Sequence, residues 1–125
     1  MTTFVVIINL GGEGEVPGAV NINSFDATLV PIEVIRSRGP LIQARAERLP
    51  IASGVAARIE ARRFPVFGVL GLAEIAAEAF RVLQSGGVFL FNRSVGPQQD
   101  MARFMLSVGF TDVEALPSRA QGVKP

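Results

Sequence analysis

The 125-residue chain has no cysteine, histidine, tyrosine or tryptophan. Without cysteine there is no disulfide framework, no thiolate nucleophile and no thiolate metal site. Without histidine the commonest general base and the commonest metal ligand are gone. Serine–histidine and cysteine–histidine triads are therefore excluded within this chain, and no metal site is expected. Aromatic stacking is left to nine phenylalanines. Charged residues make up 18% of the sequence, below the usual quarter. That favours a compact domain with limited polar surface and a face meant for a partner. No apolar run reaches the ~18 residues of a membrane span. The opening MTTFVVIINL lacks a basic n-region and a small-residue cleavage site, so it reads as a strand and not as a signal peptide. A cytoplasmic location without membrane association is the expectation.

What is present fits one domain: apolar residues make up 49%, enough for a single core at this length. The formal net charge of +1 hides an asymmetry. Residues 1–35 carry Glu13, Glu15, Asp26 and Glu33 and no base. Residues 36–63 carry Arg36, Arg38, Arg45, Arg48, Arg58, Arg62 and Arg63 against Glu47 and Glu60. Base composition of the gene explains such arginine use, since alanine, glycine and valine are also abundant. A nucleic-acid-facing or anion-binding surface is the sharper alternative.

Phe4-Val5-Val6-Ile7-Ile8 reads as a strand buried on both faces, ended by Gly11-Gly12-Glu13-Gly14. A second short strand is expected over 19–23, a short helix from near Pro31 with Arg36 and Arg38 in its last turn, and a third strand over 41–44. Residues 57–62 alternate small or apolar with charged side chains, which fits a fourth strand, with a helix over 55–63 as the competitor because Val55 and Ile59 stand four apart. Leu72, Ile75, Ala76, Ala79 and Leu83 recur at helical spacing and predict a helix over about 71–84, with Glu74, Glu78 and Arg81 off that stripe. Gly86-Gly87 is expected to end it through a left-handed C′ glycine. Val88–Phe91 is the next strand. Pro97 opens a last helix with Met101, Phe104, Met105 and Val108 on one face, stopped by Gly109. Residues 110–116 form the final strand. The expected organisation is one α/β domain over 1–117 and a fraying tail over 118–125. Alternating buried strands and amphipathic helices predict a mostly parallel sheet of about six strands flanked by helices.

Four passages resemble the class I S-adenosylmethionine (SAM) methyltransferases. Residues 76–91, AAEAFRVLQSGGVFLF, resemble the helix that ends in a VL..GG turn and enters the fifth strand of that family. Residues 106–113, LSVGFTDV, resemble the following GF passage, and residues 44–51, ARAERLPI, the segment after the third strand. Residues 8–15, INLGGEGE, resemble the glycine-rich loop after the first strand. The resemblance implies a Rossmann-like sheet, SAM as cofactor, and methyl transfer, which runs largely on positioning and needs neither histidine nor cysteine. It implies cofactor contacts at Gly11, Gly12, Glu13 and Gly14, at Asn21 or Asn23 for the ribose, and at Ala46 and Glu47 for the adenine. The chain departs from the pattern where the family carries acids: Asn9 stands in the loop, Asn21 or Asn23 after the second strand, and Arg45 after the third. The helix that ordinarily follows the glycine loop has no room before the second strand. The short form also resembles compact methyltransferase-like modules attached to bacterial polymorphic toxins.

Three functions remain open on the sequence. The first is a SAM-dependent methyltransferase of unidentified substrate, with Arg45, Arg62, Asn92 and Arg93 facing substrate or partner at the strand ends. The second is a non-catalytic descendant of that fold acting as a partner-binding or toxin-associated module, as a homo-oligomer or with another protein. It predicts an apolar patch where the missing helix would lie. The third is a nucleic-acid binder using the arginine-rich segment 36–63.

Overall fold

The structure, a computed structural model, describes residues 5–24, 30–62, 71–92 and 98–125. Arg63, Arg93 and Pro97 lie outside the described residues. The elements are β1 (Ile7–Leu10), β2 (Val20–Asn23), α1 (Ile32–Arg38), β3 (Leu41–Gln43), β4 (Ala56–Ala61), α2 (Leu72–Val82), β5 (Leu83–Asn92), α3 (Gln98–Val108), β6 (Thr111–Leu116) and β7 (Arg119–Val123). They build one seven-stranded sheet in the order β3-β2-β1-β4-β5-β7-β6. The first five strands of that row are parallel, and β7 runs antiparallel to β5 and to β6. The expected mostly parallel α/β sheet is thus present, with seven strands instead of about six.

Strand alternation sorts the side chains onto two unlike faces. Ile8, Leu10, Ile22, Ile59, Phe89, Phe91 and Ala120 point one way and are all buried. Against them pack Leu72, Ile75, Ala76, Ala79 and Val82 of α2 and Met101 and Met105 of α3. The stripes read at helical spacing are therefore the core stripes. The other face carries Asn9, Asn21, Arg58, Glu60, Arg62, Asn92, Arg119 and Gln121 together with Ile7, Val88, Leu90 and Val123, by register with their neighbours. Between β1 and β2 the chain passes through turns with no helix, as its length predicts. α1 crosses from β2 to β3. A right-handed crossover in that direction sets it on the opposite face from α2. Over β4, β5 and β7 that face bears no helix among the described residues.

Three expectations are corrected. The tail does not fray: residues 119–123 form β7, held between β5 and β6. Its core positions are Ala120 and Gly122, too small to give a hydrophobic run. A Cβ on Gly122 would come within 3.1 Å of Phe110 Cβ and 3.2 Å of Val113 Cγ2. Gly86 does take a positive φ of 84°, but α2 has already ended, with Leu83 extended at its C-cap. Gly86 instead bends β5, where its N–H donates to the Lys124 carbonyl at 2.7 Å. The first strand runs to Leu10, so Asn9 is a strand residue and not part of the loop. The uncovered face is mixed, with Ile7, Val88, Leu90 and Val123 half-buried among its polar side chains, and the exposed large apolar side chains among the described residues, Val5, Val34, Val55, Leu106 and Leu116, lie on separate segments.

Candidate functional site

The carboxyl ends of β3, β2, β1, β4 and β5 share one edge of the sheet, where open α/β sheets bind ligands. The structure brings Gly11, Gly12, Glu13, Gly14, Asn21 and Asn23 together at its centre. Arg45, Ala46 and Glu47 follow β3 on one side. Arg62 and Asn92 end β4 and β5 on the other.

The central group is largely closed on itself, with Asn9 Oδ1 left buried without a hydrogen-bond partner. Asn9 and Asn21 are Cα partners in neighbouring strands and are 0% and 1% exposed. Asn9 Nδ2 donates to Asn21 Oδ1 at 3.3 Å and to Glu15 Oε1. Asn21 Oδ1 also accepts the Gly14 N–H at 3.1 Å, and Asn21 Nδ2 donates to the Pro40 carbonyl at 3.1 Å. Asn23 Nδ2 donates to the Gly12 carbonyl at 3.1 Å. The Glu15 carboxylate accepts the Glu13 N–H at 3.3 and 3.2 Å. The Gly11 and Gly12 N–H groups both reach the Ile22 carbonyl, at 2.7 and 3.2 Å. Every N–H from Gly11 to Gly14 thus has an internal acceptor. Arg38 of α1 lies across the loop, its Nη1 donating to the Glu13 carbonyl at 2.9 Å.

Sterics close the same space. A Cβ on Gly12 would meet Asn21 Oδ1 at 2.4 Å and Asn9 Nδ2 at 2.8 Å. Gly14 has a φ of +89°, and a Cβ there would meet Arg38 Cβ at 2.4 Å. These glycines are required because the chain's own side chains fill the cradle. The sequence indicated the loop, with Asn9 and Glu15 beside it, but missed Arg38 and the pairing of Asn9 with Asn21. The signal was available: Asn9 and Asn21 interrupt otherwise apolar strands.

The residues expected at the adenine position behave differently. Ala46 is buried in the main core. Glu47 forms an ion pair with Arg45 at 3.2 Å and packs near Gly71, at the positive end of α2. Arg38, Arg45, Arg58 and Arg62 of the arginine-rich segment are engaged within the chain. Glu60, 3% exposed, sits between Arg58 at 2.9 Å and Arg62 at 3.0 Å, both half exposed. Among the described residues no group of acidic side chains could hold a metal ion. Among the described residues no helix is long and apolar enough to cross a membrane.

No family model matches the chain, and no curated protein matches it. Solved structures do match. A Thermotoga maritima SAM-dependent methyltransferase, described as a possible histamine N-methyltransferase, superposes with a TM-score of 0.75 at 13% identity, over 100% of this chain and 84% of that one. A complex of the Haloferax volcanii Trm112 methyltransferase activator with a methyltransferase gives 0.73 at 8% identity, over 97% and 83%. A TehB-like SAM-dependent methyltransferase from Corynebacterium glutamicum gives 0.68 at 14% identity, over 97% and 80%. At such identities the likeness is one of fold. The residues at the glycine loop do not fit SAM as they stand, because the loop amides and both ends of the Asn21 carboxamide are already committed. What the comparisons establish is that this chain has the Rossmann-like fold of the class I methyltransferases.

Proposed function

We propose that the chain is a methyltransferase-fold binding module that does not use SAM. The observation that carries this is the glycine loop. Its four N–H groups are satisfied internally, and Asn21, the nearer candidate for a ribose contact, spends both ends of its carboxamide on the protein. A ligand would have to break several of these bonds, at a cost of roughly 1 kcal/mol each. The absent acids remove the charge-assisted bonds that would compensate. The partner is another protein or a second copy of the chain. Attachment to a bacterial toxin is the setting that the sequence resemblance suggests.

SAM-dependent methyl transfer is the alternative, favoured by superposition of the whole chain on a SAM-dependent methyltransferase. Calorimetric titration with SAM and S-adenosylhomocysteine separates the two. No heat of binding is expected at about 1 mM ligand. Micromolar binding by the natural chain would overturn the proposal and justify a substrate search. Binding gained only in Glu15→Ala would identify that carboxylate as what holds the loop closed.

A further inference from the structure

We propose an oxyanion site, suited to a phosphoryl group, at the carboxyl edge of the uncovered sheet face, built by Arg62, Asn92 and Arg119. It lies two strands from the glycine loop and does not depend on whether that loop is closed.

Register places the three together. Arg119 is the Cα partner of Asn92 across the β5–β7 pair. Arg62 follows Ala61 directly, and Ala61 is the partner of Phe91 across the β4–β5 pair. Asn92 therefore stands between the two arginines. Phe91, Ala61 and Ala120 are fully buried on the helical side, so their successors or predecessors in the strands face the other way. The Arg62 bond to Glu60 puts that side chain on the same open face. At a strand spacing of about 4.8 Å the flanking Cα atoms lie about 10 Å apart, a gap two arginine side chains close around one tetrahedral anion.

The charges of this corner are unbalanced. Glu60 is shared by Arg58 and Arg62, so one carboxylate serves two guanidinium groups. Arg119 makes no ion pair among the described residues, and its Nε is buried without a hydrogen-bond partner. The next carboxylate on this face, Glu114, pairs with Gln121 one row away. A buried N–H left without an acceptor is costly and rare in native structures. An anion at this position supplies that acceptor. Both flanks are arginine, whose planar fork binds phosphoryl oxygens in pairs, and the Asn92 carboxamide adds a donor between them.

The test is a titration of inorganic phosphate into the full chain at constant ionic strength. It is followed by NMR at the Asn92 side-chain amide and the Arg119 Nε–H. A saturable shift at these groups is expected. It should weaken at least about tenfold in Arg119→Gln and in Arg62→Gln. It should persist in Arg103→Gln, which alters an exposed ion pair on α3. If Arg119→Gln fails to fold, Arg119→Lys keeps the charge without the fork and should still bind more weakly. A mononucleotide that binds more tightly through the same residues identifies a nucleotide as the source, whereas equal affinity identifies free phosphate. The proposal is overturned if no shift saturates by about 10 mM. It is also overturned if all three glutamine variants respond alike. Single-stranded RNA binding through Arg45 and Arg48, without a phosphate response, would replace it with a nucleic-acid surface.

Discussion

Arg81 shows how one side chain can tie a loop to a helix. Its guanidinium donates to the Leu49 carbonyl at 3.0 Å, the Ile51 carbonyl at 2.8 Å and both oxygens of Glu78 at 2.9 Å. Glu78 in turn accepts the Leu49 N–H at 2.6 Å. The pair pins the loop before β4 onto α2. In sequence, Glu78 and Arg81 read only as the polar side of a helix, because periodicity reports which residues face away from the core and not what they meet there. The guanidinium beside it, helped by the Leu49 N–H, holds the Glu78 carboxyl below its ordinary value of 4.5 against the opposing effect of burial. A carboxyl depressed on folding stabilises the protein in full above its unfolded value, and that stabilisation is lost as pH falls through the folded one. Glu78→Gln should therefore cost about 1 kcal/mol in urea denaturation near about pH 7, and the difference should shrink towards zero by about pH 3. An equal cost at both pH values would place the contribution in packing instead of charge. Asn9 and Asn21, in the strands beside the loop, teach a related lesson. Their presence in apolar strands was visible, but their pairing follows from register, which only the folded sheet supplies.

Elements were legible wherever large apolar residues carried the period. α2, α3 and the central strands follow from such stripes. β7 was not legible, because Arg119-Ala120-Gln121-Gly122-Val123 alternates in size where most strands alternate in hydrophobicity. Ala120 and Gly122 face the core, and their smallness lets Phe110 and Val113 close over the strand. Gly122→Val should lower stability by at least about 2 kcal/mol, because the added methyls meet Phe110 with little room to move. Gln121→Val, on the open face of the same strand, should change it by less than about 0.5 kcal/mol. The urea midpoints of the two variants make the comparison. Similar losses in both would mean that β7 contributes by backbone pairing alone. β6 beyond it is an edge strand with nearly every residue exposed. Asp112, at a φ of 51°, falls where the β6–β7 register shifts, and Asp112 and Glu114 place charge along the edge. A bulge and acidic side chains on an edge both discourage pairing with another chain.

For the molecule as a whole, the two faces of the sheet set the distribution of stability. The helical face gathers β1, β4, β5, α2, α3 and Ala120 of β7 into one cluster. α1 contributes Ile35, fully buried but outside that cluster, and has seven residues with no side-chain cap at Pro31. β3 is a three-residue edge strand with no fully buried side chain. A helix of that length does not hold itself in water and depends on its packing. Its fixings are the Asn21 bond to the Pro40 carbonyl and the Arg38 bond to the Glu13 carbonyl. These are the bonds that also close the glycine loop. The segment 32–43 and the loop should therefore open together, at a lower free energy than the β4–β5 centre. Native-state hydrogen exchange measures this directly. Amides of Ile35 and Gly14 are expected to share one opening free energy, roughly half or less of that for Ile59 and Phe89. Asn21→Ala should lower the first pair and leave the second nearly unchanged. If all four amides instead exchange at the global unfolding free energy, the loop is as rigid as the core. Its closure would then be a fixed property of the fold, with no separate opening equilibrium for a ligand to shift.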